Sequence, residues 1–253
     1  MKTKKSLGQN FFINKNLCKQ ITEIVLKEKP EIIVEIGPGP GSFTQFFYEL
    51  NVKLILVEKD NQLSEGLKLT YPNSEIENVD FLDWNLNNLE KYRDKKIIFF
   101  GSLPYNVSKR IIAKIIESKH FLSPSFFIIQ KEVAEKYISK EPDNNLLSLK
   151  TKIYAKPQRL FNISPDSFRP KPKVNSSFVV FNPKRKQLDI DINDFKRFLK
   201  ISFSQPRKTL KNNLKSYKPK LGKNSNGESI NKLLSKRPQH LSFEEFVLLY
   251  NNH

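Results

Sequence analysis

The sequence predicts an α/β protein in which a doubly wound, mostly parallel sheet is followed by a small helical domain. Short, continuously apolar runs alternate with segments of helical periodicity up to residue 138. Strands that are apolar along their whole length are typical of parallel sheets covered by helices on both faces. Beyond Asn182 the apolar residues recur only at helical spacing, which predicts the appended helices.

The elements can be assigned in chain order. Asn14 can cap a first helix, whose apolar residues recur at helical spacing until Pro30 stops it. Apolar strands and amphipathic helices then alternate: strands over 32–36, 53–58, 97–101 and 126–130, and helices over 43–50, 62–69, 111–116 and 133–138. Two extended segments, 158–163 and 174–181, flank a proline-bearing loop and predict a β-hairpin that closes the sheet.

The charge of the chain favours a polyanionic partner. Its 44 Lys and Arg stand against 26 Asp and Glu, a net charge of +18, which favours nucleic acid over an anionic membrane surface. The last 71 residues carry 16 basic and 6 acidic residues. We therefore expect a main domain over 1–182 and a small basic helical RNA-binding domain over 183–253. Its predicted phosphate contacts, with a solvated helix face as the alternative, are Arg207, Lys208, Lys211 and Lys215.

Targeting and metal-binding signals are weak. The sequence has no apolar run long enough to cross a membrane and no signal-peptide core after Met1, so a cytoplasmic location is expected. Cys18 is the only cysteine and cannot form an internal disulfide. The three histidines are scattered and have no neighbouring cysteine pair, so no metal site is expected.

A glycine-rich turn follows the first predicted strand and leads directly into a helix. Glu35 precedes Gly37, Gly39 and Gly41 there, where free backbone amides and the positive end of the helix dipole would face a ligand. Ser42 stands where a dinucleotide-binding fingerprint has its third glycine or alanine, which makes pyrophosphate binding less favourable.

Two acidic residues follow later strands of the same predicted sheet. Glu58 ends the second strand, where a carboxylate can accept hydrogen bonds from both ribose hydroxyls of an adenosine-containing ligand. Asp80 can accept one from an adenine amine. A nucleoside ligand without an obligatory phosphate favours S-adenosylmethionine as the cofactor.

The tetrapeptide Ser102-Leu103-Pro104-Tyr105 follows the strand at 97–101, at the sheet edge where ligands bind in open α/β folds. Acceptors at the Ser102 side chain and a backbone carbonyl beside Pro104 would bind both protons of an adenine amine and localise its lone pair toward a methyl donor. The ring of Tyr105 offers a surface on which a flipped base can stack. A strand-end turn with a buried tyrosine is the structural alternative.

With these motifs in order, the chain resembles the KsgA-type (RsmA) small-subunit ribosomal RNA adenine dimethyltransferases over nearly all of residues 5–215. The matching segments are 5–12, 35–41, 58–60, 80–81, 102–105, 130–134 and 168–176. The resemblance implies a Rossmann-like class I methyltransferase fold and makes Phe168 a residue that packs on the target base. It also implies these cofactor contacts: Asn10, Phe12, Gly37, Gly39, Gly41, Glu58, Asp80, Phe81 and Ser102.

The reaction implied by the resemblance is the dimethylation of the exocyclic amine of two adjacent adenosines near the 3′ end of 16S ribosomal RNA, linked to small-subunit maturation. We expect a monomer that acts on the immature small subunit. The family's tetrapeptide normally begins with Asn, whereas this chain has Ser102. Two alternatives stay open: a large-subunit (23S) adenine methyltransferase of the macrolide-resistance type, and a catalytically weak ribosome-assembly factor.

Overall fold

The computed structural model describes residues 10–50, 52–185, 188–217 and 228–252. Within them the strands are β1 Phe11–Phe12, β2 Ile32–Ile36, β3 Lys53–Val57, β4 Glu75–Glu77, β5 Ile97–Ser102, β6 Ser125–Gln130, β7 Ala155–Ile163, β8 Phe168–Arg169 and β9 Ser176–Pro183. The helices are α1 Lys15–Leu26, α2 Thr44–Tyr48, α3 Asn61–Thr70, α4 Ser108–Ile116, α5 Lys131–Ile138, α6 Leu146–Tyr154, α7 Ile192–Ser202, α8 Leu210–Asn213, α9 Glu228–Ser235 and α10 Phe243–Asn252.

The main sheet confirms the predicted doubly wound arrangement. Its strand order is β4-β3-β2-β5-β6-β9-β7, and the neighbouring pairs from β4 to β6 are parallel. The chain runs outward from β2 through β3 to β4, then returns to place β5 on the other side of β2. The order therefore reverses between β2 and β5, which is where open α/β sheets bind ligands.

The apolar pattern of the strands explains their central place. All five residues of β2 are buried, as are four of the five in β3 and five of the six in β5. Because helices cover both faces of these strands, side chains on both faces are buried, and the strands are apolar along their whole length. Asn14 caps α1 as predicted, because its side chain accepts a hydrogen bond from the backbone N–H of Leu17 at 3.1 Å.

The last strands differ in detail from the prediction. β9 pairs antiparallel with β6 and has β7 as its other neighbour, so the two predicted extended segments do close the sheet. β7 begins at Ala155, directly after α6, a helix that the sequence patterning did not predict. The predicted proline-bearing loop between β7 and β9 also contains the short strand β8, which the sequence patterning did not predict.

Residue contacts divide the chain into two compact units, Met1–Ala134 with Pro157–Pro183, and Glu135–Lys156 with Lys184–His253. The sequence predicts a single boundary after residue 182, whereas residues 135–156 group with the C-terminal helices. The reason is apolar packing within the second unit, where Leu149 and Ile153 belong to one buried cluster with Phe195 and Leu241. The Asn144 side-chain amide also donates to the Leu241 carbonyl at 2.7 Å. None of the helices in the described part of the chain is long and apolar enough to span a membrane.

Candidate active site

A cavity of about 180 Å³ lies at the carboxyl ends of the parallel strands in the first unit. Its walls come from the turn after β2, the ends of β3 and β5, the segment after β4, and the strands β1 and β8. The site residues predicted from sequence that line it are Asn10, Gly37, Gly39, Glu58, Asp80, Phe81, Ser102, Leu103, Pro104, Tyr105 and Phe168.

The glycine turn approaches the cavity with its backbone in the left-handed region. Gly37, Gly39 and Gly41 have φ of 63°, 59° and 88°, which favours glycine at each position. A Cβ atom on Gly39 would also lie 3.1 Å from the Phe11 ring, and one on Gly41 only 2.7 Å from the Tyr71 hydroxyl. A side chain is therefore disfavoured at each of these three positions, and Gly37 and Gly39 line the cavity with backbone alone.

Glu58 is the buried carboxylate of the cavity wall. One of its oxygens accepts the Gly39 backbone N–H at 3.0 Å, and the other accepts the Asp60 N–H at 2.9 Å. Burial raises the pKa of the Glu58 carboxyl, and these two backbone donors oppose the shift. Because a carboxylate oxygen has a second lone pair, both oxygens can still accept from a ligand.

Asp80 is the more exposed carboxylate of the same wall. Its side chain accepts from the Leu82 backbone N–H at 2.9 Å and from the Lys59 ammonium at 2.8 Å. Burial raises the pKa of Asp80, but the hydrogen bonds from Lys59 and Leu82 outweigh it, so the pKa lies below its ordinary value. Asp80 is therefore an anion at neutral pH, fixed in place by two donors.

A third carboxyl group, Glu35, lies beneath the glycine turn and does not line the cavity. Burial raises its pKa to about 8, against a hydrogen bond from the Thr44 hydroxyl at 2.8 Å. Thr44 is the first residue of α2. Glu35 thus connects the end of β2 to the helix after the turn, which is a supporting role.

The last residue of β5 and the residue that follows it present two open hydrogen-bond acceptors. The Leu103 N–H donates to the Ile128 carbonyl at 3.0 Å, and the Pro104 carbonyl accepts from two N–H groups of the following turn. By contrast, among the described residues none donates to the Leu103 carbonyl or hydrogen-bonds the Ser102 hydroxyl. Both lie on residues that line the cavity.

Two aromatic rings on the same side of the cavity are fixed by neighbours. The Tyr105 hydroxyl lies 2.9 Å from the hydroxyl of Ser176, a fully buried residue at the start of β9. Phe168 is buried and makes an edge contact with Phe12, with ring centroids 4.9 Å apart. Each ring at the cavity is therefore in contact with a buried residue of the first unit.

The N-terminal segment connects the two sides of the site. β1 pairs antiparallel with β8, with Phe12 opposite Phe168, and the Ile13 N–H donates to the Ser167 carbonyl at 2.8 Å. The Ser42 hydroxyl, next to the glycine turn, donates to the Phe12 carbonyl at 2.6 Å. This segment therefore holds the glycine turn and the loop carrying Phe168 together.

The structure places some predicted residues away from the cavity. Phe12 lies behind it, packed between Phe43 and Phe168, and Gly41 lies against Tyr71. Residues 5–9 of the matching segment 5–12 fall outside the described residues. The predicted RNA contacts are all exposed and belong to the second unit: Arg207, Lys208, Lys211 and Lys215.

Sequence patterning missed several residues of the cavity wall. Phe11 lines the cavity in place of Phe12, because alternate residues of a strand point to opposite faces. Lys59, within the matching segment 58–60, also lines the cavity and pairs with Asp80 across 21 residues of sequence. The signal in the sequence that could have indicated this ion pair is the presence of a basic residue after β3 and an acidic residue after β4, since β3 and β4 are parallel neighbours. Within the described part of the chain no group of three or more His, Cys, Asp or Glu residues could hold a metal ion.

Comparisons with known proteins place this chain in a family. The model of the family "Ribosomal RNA adenine dimethylase" matches residues 1–250. "Ribosomal RNA small subunit methyltransferase A" of Francisella tularensis subsp. tularensis (strain FSC 198) is 34% identical over 256 residues, covering 99% of this chain and 97% of that protein. The same-named protein of Francisella tularensis subsp. novicida (strain U112) is also 34% identical with the same coverage.

Two solved structures share the fold at lower identity. The 23S rRNA methyltransferase ErmE is 18% identical with a TM-score of 0.76, covering 96% of this chain and 99% of that one. A dimethyladenosine transferase from Plasmodium falciparum is 22% identical with a TM-score of 0.78, covering 94% and 95%. The structural likeness establishes the fold, and the family match over residues 1–250 with the relatives of 34% identity establishes that this chain belongs to the ribosomal RNA adenine dimethylase family.

Proposed function

We propose that this protein transfers methyl groups from S-adenosylmethionine to the exocyclic amines of two adjacent adenosines near the 3′ end of 16S ribosomal RNA. The relatives of 34% identity are named as small-subunit methyltransferases, which supports the small subunit as the substrate. The proposal includes action by a monomer in the cytoplasm on the immature subunit, as a step of its maturation.

One observation carries the proposal. The residues suited to an adenosine-containing donor and those suited to a target adenine line one and the same cavity. Gly37, Glu58 and Asp80 form one side of it, and Ser102 and Tyr105 form the other. A methyl transfer needs donor and acceptor within reach of direct attack, so a shared cavity is the arrangement that this chemistry requires.

The donor side fits S-adenosylmethionine by its hydrogen-bonding capacity. Glu58 keeps one lone pair on each oxygen beyond its two backbone donors, which suits two ribose hydroxyls. Asp80 is anionic and next to the buried ring of Phe81, which suits the amine and the face of an adenine. The backbone of Gly37 and Gly39 lets the rest of the molecule approach closely.

The target side can activate an aromatic amine by position and hydrogen bonding. The Ser102 hydroxyl and the Leu103 carbonyl would each accept one amine proton, which draws the nitrogen lone pair out of conjugation with the ring. Tyr105 and Phe168 would hold the flipped base between aromatic surfaces. When bound, S-adenosylmethionine supplies a methyl group whose bond to sulfur breaks, with its electron pair going to sulfur, as the amine nitrogen bonds to the methyl carbon and releases a proton to water.

The test is single-turnover methyl transfer to small subunits that lack the modification, with large subunits as the control substrate. The proposal expects two dimethylated adenosines in the small-subunit RNA, located by mass spectrometry of nuclease fragments. Transfer only to the large subunit would support the macrolide-resistance alternative instead. Binding of cofactor and subunit without any transfer would favour the assembly-factor alternative, which Ser102 motivates.

We propose further that residues 183–253 bind RNA phosphates through Arg207, Lys208, Lys211 and Lys215. All four side chains are exposed, and none has an ion-pair partner among the described residues. Removing one phosphate-binding side chain should flatten the slope of log affinity against log salt by roughly 0.7 to 0.9. The fourfold alanine variant is compared with a control that removes Lys15, Lys19 and Lys27, which are exposed on and just after α1. Equal salt slopes for wild type and the fourfold variant would mean that these four side chains form a solvated helix face and do not bind phosphates.

A further inference from the structure

Lys114 makes an unusual set of contacts beside the cavity. Its ammonium nitrogen lies 2.9 Å from the Phe81 carbonyl, 2.7 Å from the Leu82 carbonyl and 2.6 Å from the Trp84 carbonyl. An ammonium has three protons and no acceptor, so these three carbonyls use its whole hydrogen-bonding capacity. Lys114 lies in α4, which begins three residues after Tyr105.

The three carbonyls belong to the turn that follows Asp80. The Asp80 carbonyl already accepts the N–H groups of Asp83 at 2.8 Å and Trp84 at 2.9 Å, and the Asp80 side chain accepts the Leu82 N–H at 2.9 Å. Asp80 therefore accepts the N–H groups of Leu82, Asp83 and Trp84, while the carbonyls of Phe81, Leu82 and Trp84 bind the Lys114 ammonium. A cation is the favoured partner for such a group of carbonyls.

The contact also includes the ring that lines the cavity. The Lys114 ammonium lies 5.5 Å from the centroid of the Phe81 ring, within range of a cation–π interaction. Burial lowers the pKa of Lys114, while the carboxylates of Asp83 and Asp80 oppose the shift. The residue is thus half-buried at the back of the wall formed by Asp80 and Phe81, and it does not line the cavity itself.

We propose that Lys114 is a positioning residue that holds Asp80 and Phe81 in register with the segment at Ser102–Tyr105, and so sets the selectivity of the cavity for adenine in the methyl donor. This inference rests on the proposed function, since it takes the wall at Asp80 to be the adenine site. The helix α4 begins three residues after Tyr105 and carries Lys114, so it connects the target side with the turn after Asp80 on the donor side. Without the ammonium, these three carbonyls lose their hydrogen-bond donor within the described part of the chain, and the turn can move away from α4.

The experiment compares two ligands by calorimetric titration of the full chain: S-adenosylhomocysteine and its hypoxanthine counterpart, which has a carbonyl in place of the adenine amine. The ratio of their affinities measures the amine contact at Asp80. Wild type should prefer the adenine compound about tenfold or more, as expected for a hydrogen bond to a charged group. Lys114→Met should reduce that preference to about threefold or less, and Lys109→Met, an exposed lysine of the same helix, should retain it.

The ratio of the two ligand affinities distinguishes a loss of positioning at Asp80 from a general loss of stability. A variant that is merely less folded loses affinity for both ligands by the same factor, so its preference stays at the wild-type value. Lys114→Gln, which keeps two donor hydrogens, should give an intermediate preference and replaces the methionine variant if that one fails to fold. An unchanged preference in a folded Lys114 variant overturns the inference and leaves the proposed function standing. Equal affinity of wild type for the two ligands overturns the assignment of Asp80 to the adenine amine, and the inference about Lys114 with it.

Discussion

The two sides of the cavity differ in how their polar atoms are used. On the donor side, each side-chain oxygen of Glu58 and Asp80 already accepts a hydrogen bond from the protein. On the target side, the Ser102 hydroxyl and the Leu103 carbonyl have no hydrogen-bond partner among the residues that the structure describes. One side is rigidly held before any ligand arrives, and the other keeps acceptors free.

This difference predicts which substitutions should change cofactor affinity and which should change the rate of methyl transfer. Carboxylates held by backbone donors are preorganised for binding, so their removal should appear in cofactor affinity. Acceptors that are free until an amine arrives can strengthen their hydrogen bonds as charge develops on the nitrogen, so their removal should appear in the rate. Substitutions on the two sides should therefore separate into binding defects and rate defects.

The largest effect is expected at Tyr105. Tyr105→Ala removes the ring on which the target base would stack and leaves a gap beside Ser176, so the single-turnover rate should fall at least as far as for any Ser102 variant. Affinity for S-adenosylhomocysteine should change little. Tyr105→Phe, which keeps the ring and removes only the hydroxyl, is the matched control and should retain most of the rate. A large drop in cofactor affinity in Tyr105→Ala would break the separation of the two sides.

Ser102→Ala is expected to be next. It removes one acceptor and adds no bulk, and the single-turnover rate should fall about 10- to 1000-fold if that acceptor acts mainly in the transition state. Cofactor affinity, measured by titration on the same preparation, should stay within about threefold of wild type. A wild-type rate for Ser102→Ala would mean that the Leu103 carbonyl alone positions the amine.

A smaller effect is expected on the donor side. Glu58→Ala and Asp80→Ala should each weaken S-adenosylmethionine binding about tenfold or more, because each removes hydrogen bonds worth about 1 to 3 kcal/mol. Asp83→Ala is the control, since Asp83 is an exposed carboxylate of the same turn that does not line the cavity. At saturating cofactor the single-turnover rate of Asp80→Ala should approach that of wild type. Unchanged affinity in both variants would overturn the assignment of this side.

The sequence allowed most of the donor side to be predicted, because its signals are local. The apolar run of β2, the glycine turn and Glu58 at the end of β3 each follow from residue type and position alone. Contacts between distant segments were not predictable in this way. The pairing of β1 with β8, with Phe12 opposite Phe168, and the capping of the turn after Asp80 by Lys114 depend on how the strands assemble.

The residues of the target side could be predicted from the sequence, but which of their hydrogen-bond acceptors are open could not. Ser102 and Tyr105 could be selected from the tetrapeptide, but the sequence cannot show that the Leu103 carbonyl lacks a donor among the described residues while the Pro104 carbonyl has two. That distinction arises from the turn into α4, which directs the N–H groups of Val107 and Ser108 to Pro104. The helix start thus satisfies one carbonyl of the segment and leaves its neighbour open.

The smallest effect, and the sharpest test of the open side, is expected from Ser102→Asn. An asparagine oxygen reaches further than a serine hydroxyl and is an acceptor only, whereas a hydroxyl can also turn its proton toward the amine. Ser102 is partly exposed at the end of β5, so the larger side chain has room toward the cavity. The single-turnover rate should therefore be preserved or raised, with cofactor affinity unchanged.

The outcome for Ser102→Asn also decides whether Ser102 acts as a hydrogen-bond acceptor for the target amine. A modest rise over wild type, together with a fall in Ser102→Ala, would identify the residue at this position as an acceptor of graded strength. A fall in Ser102→Asn as large as that in Ser102→Ala would mean that the cavity is shaped around the shorter side chain and that the amine is bound in another way. If wild type binds cofactor and subunit without transfer and Ser102→Asn does not restore it, the target side is not catalytic, and the result favours the ribosome-assembly factor over the methyltransferase.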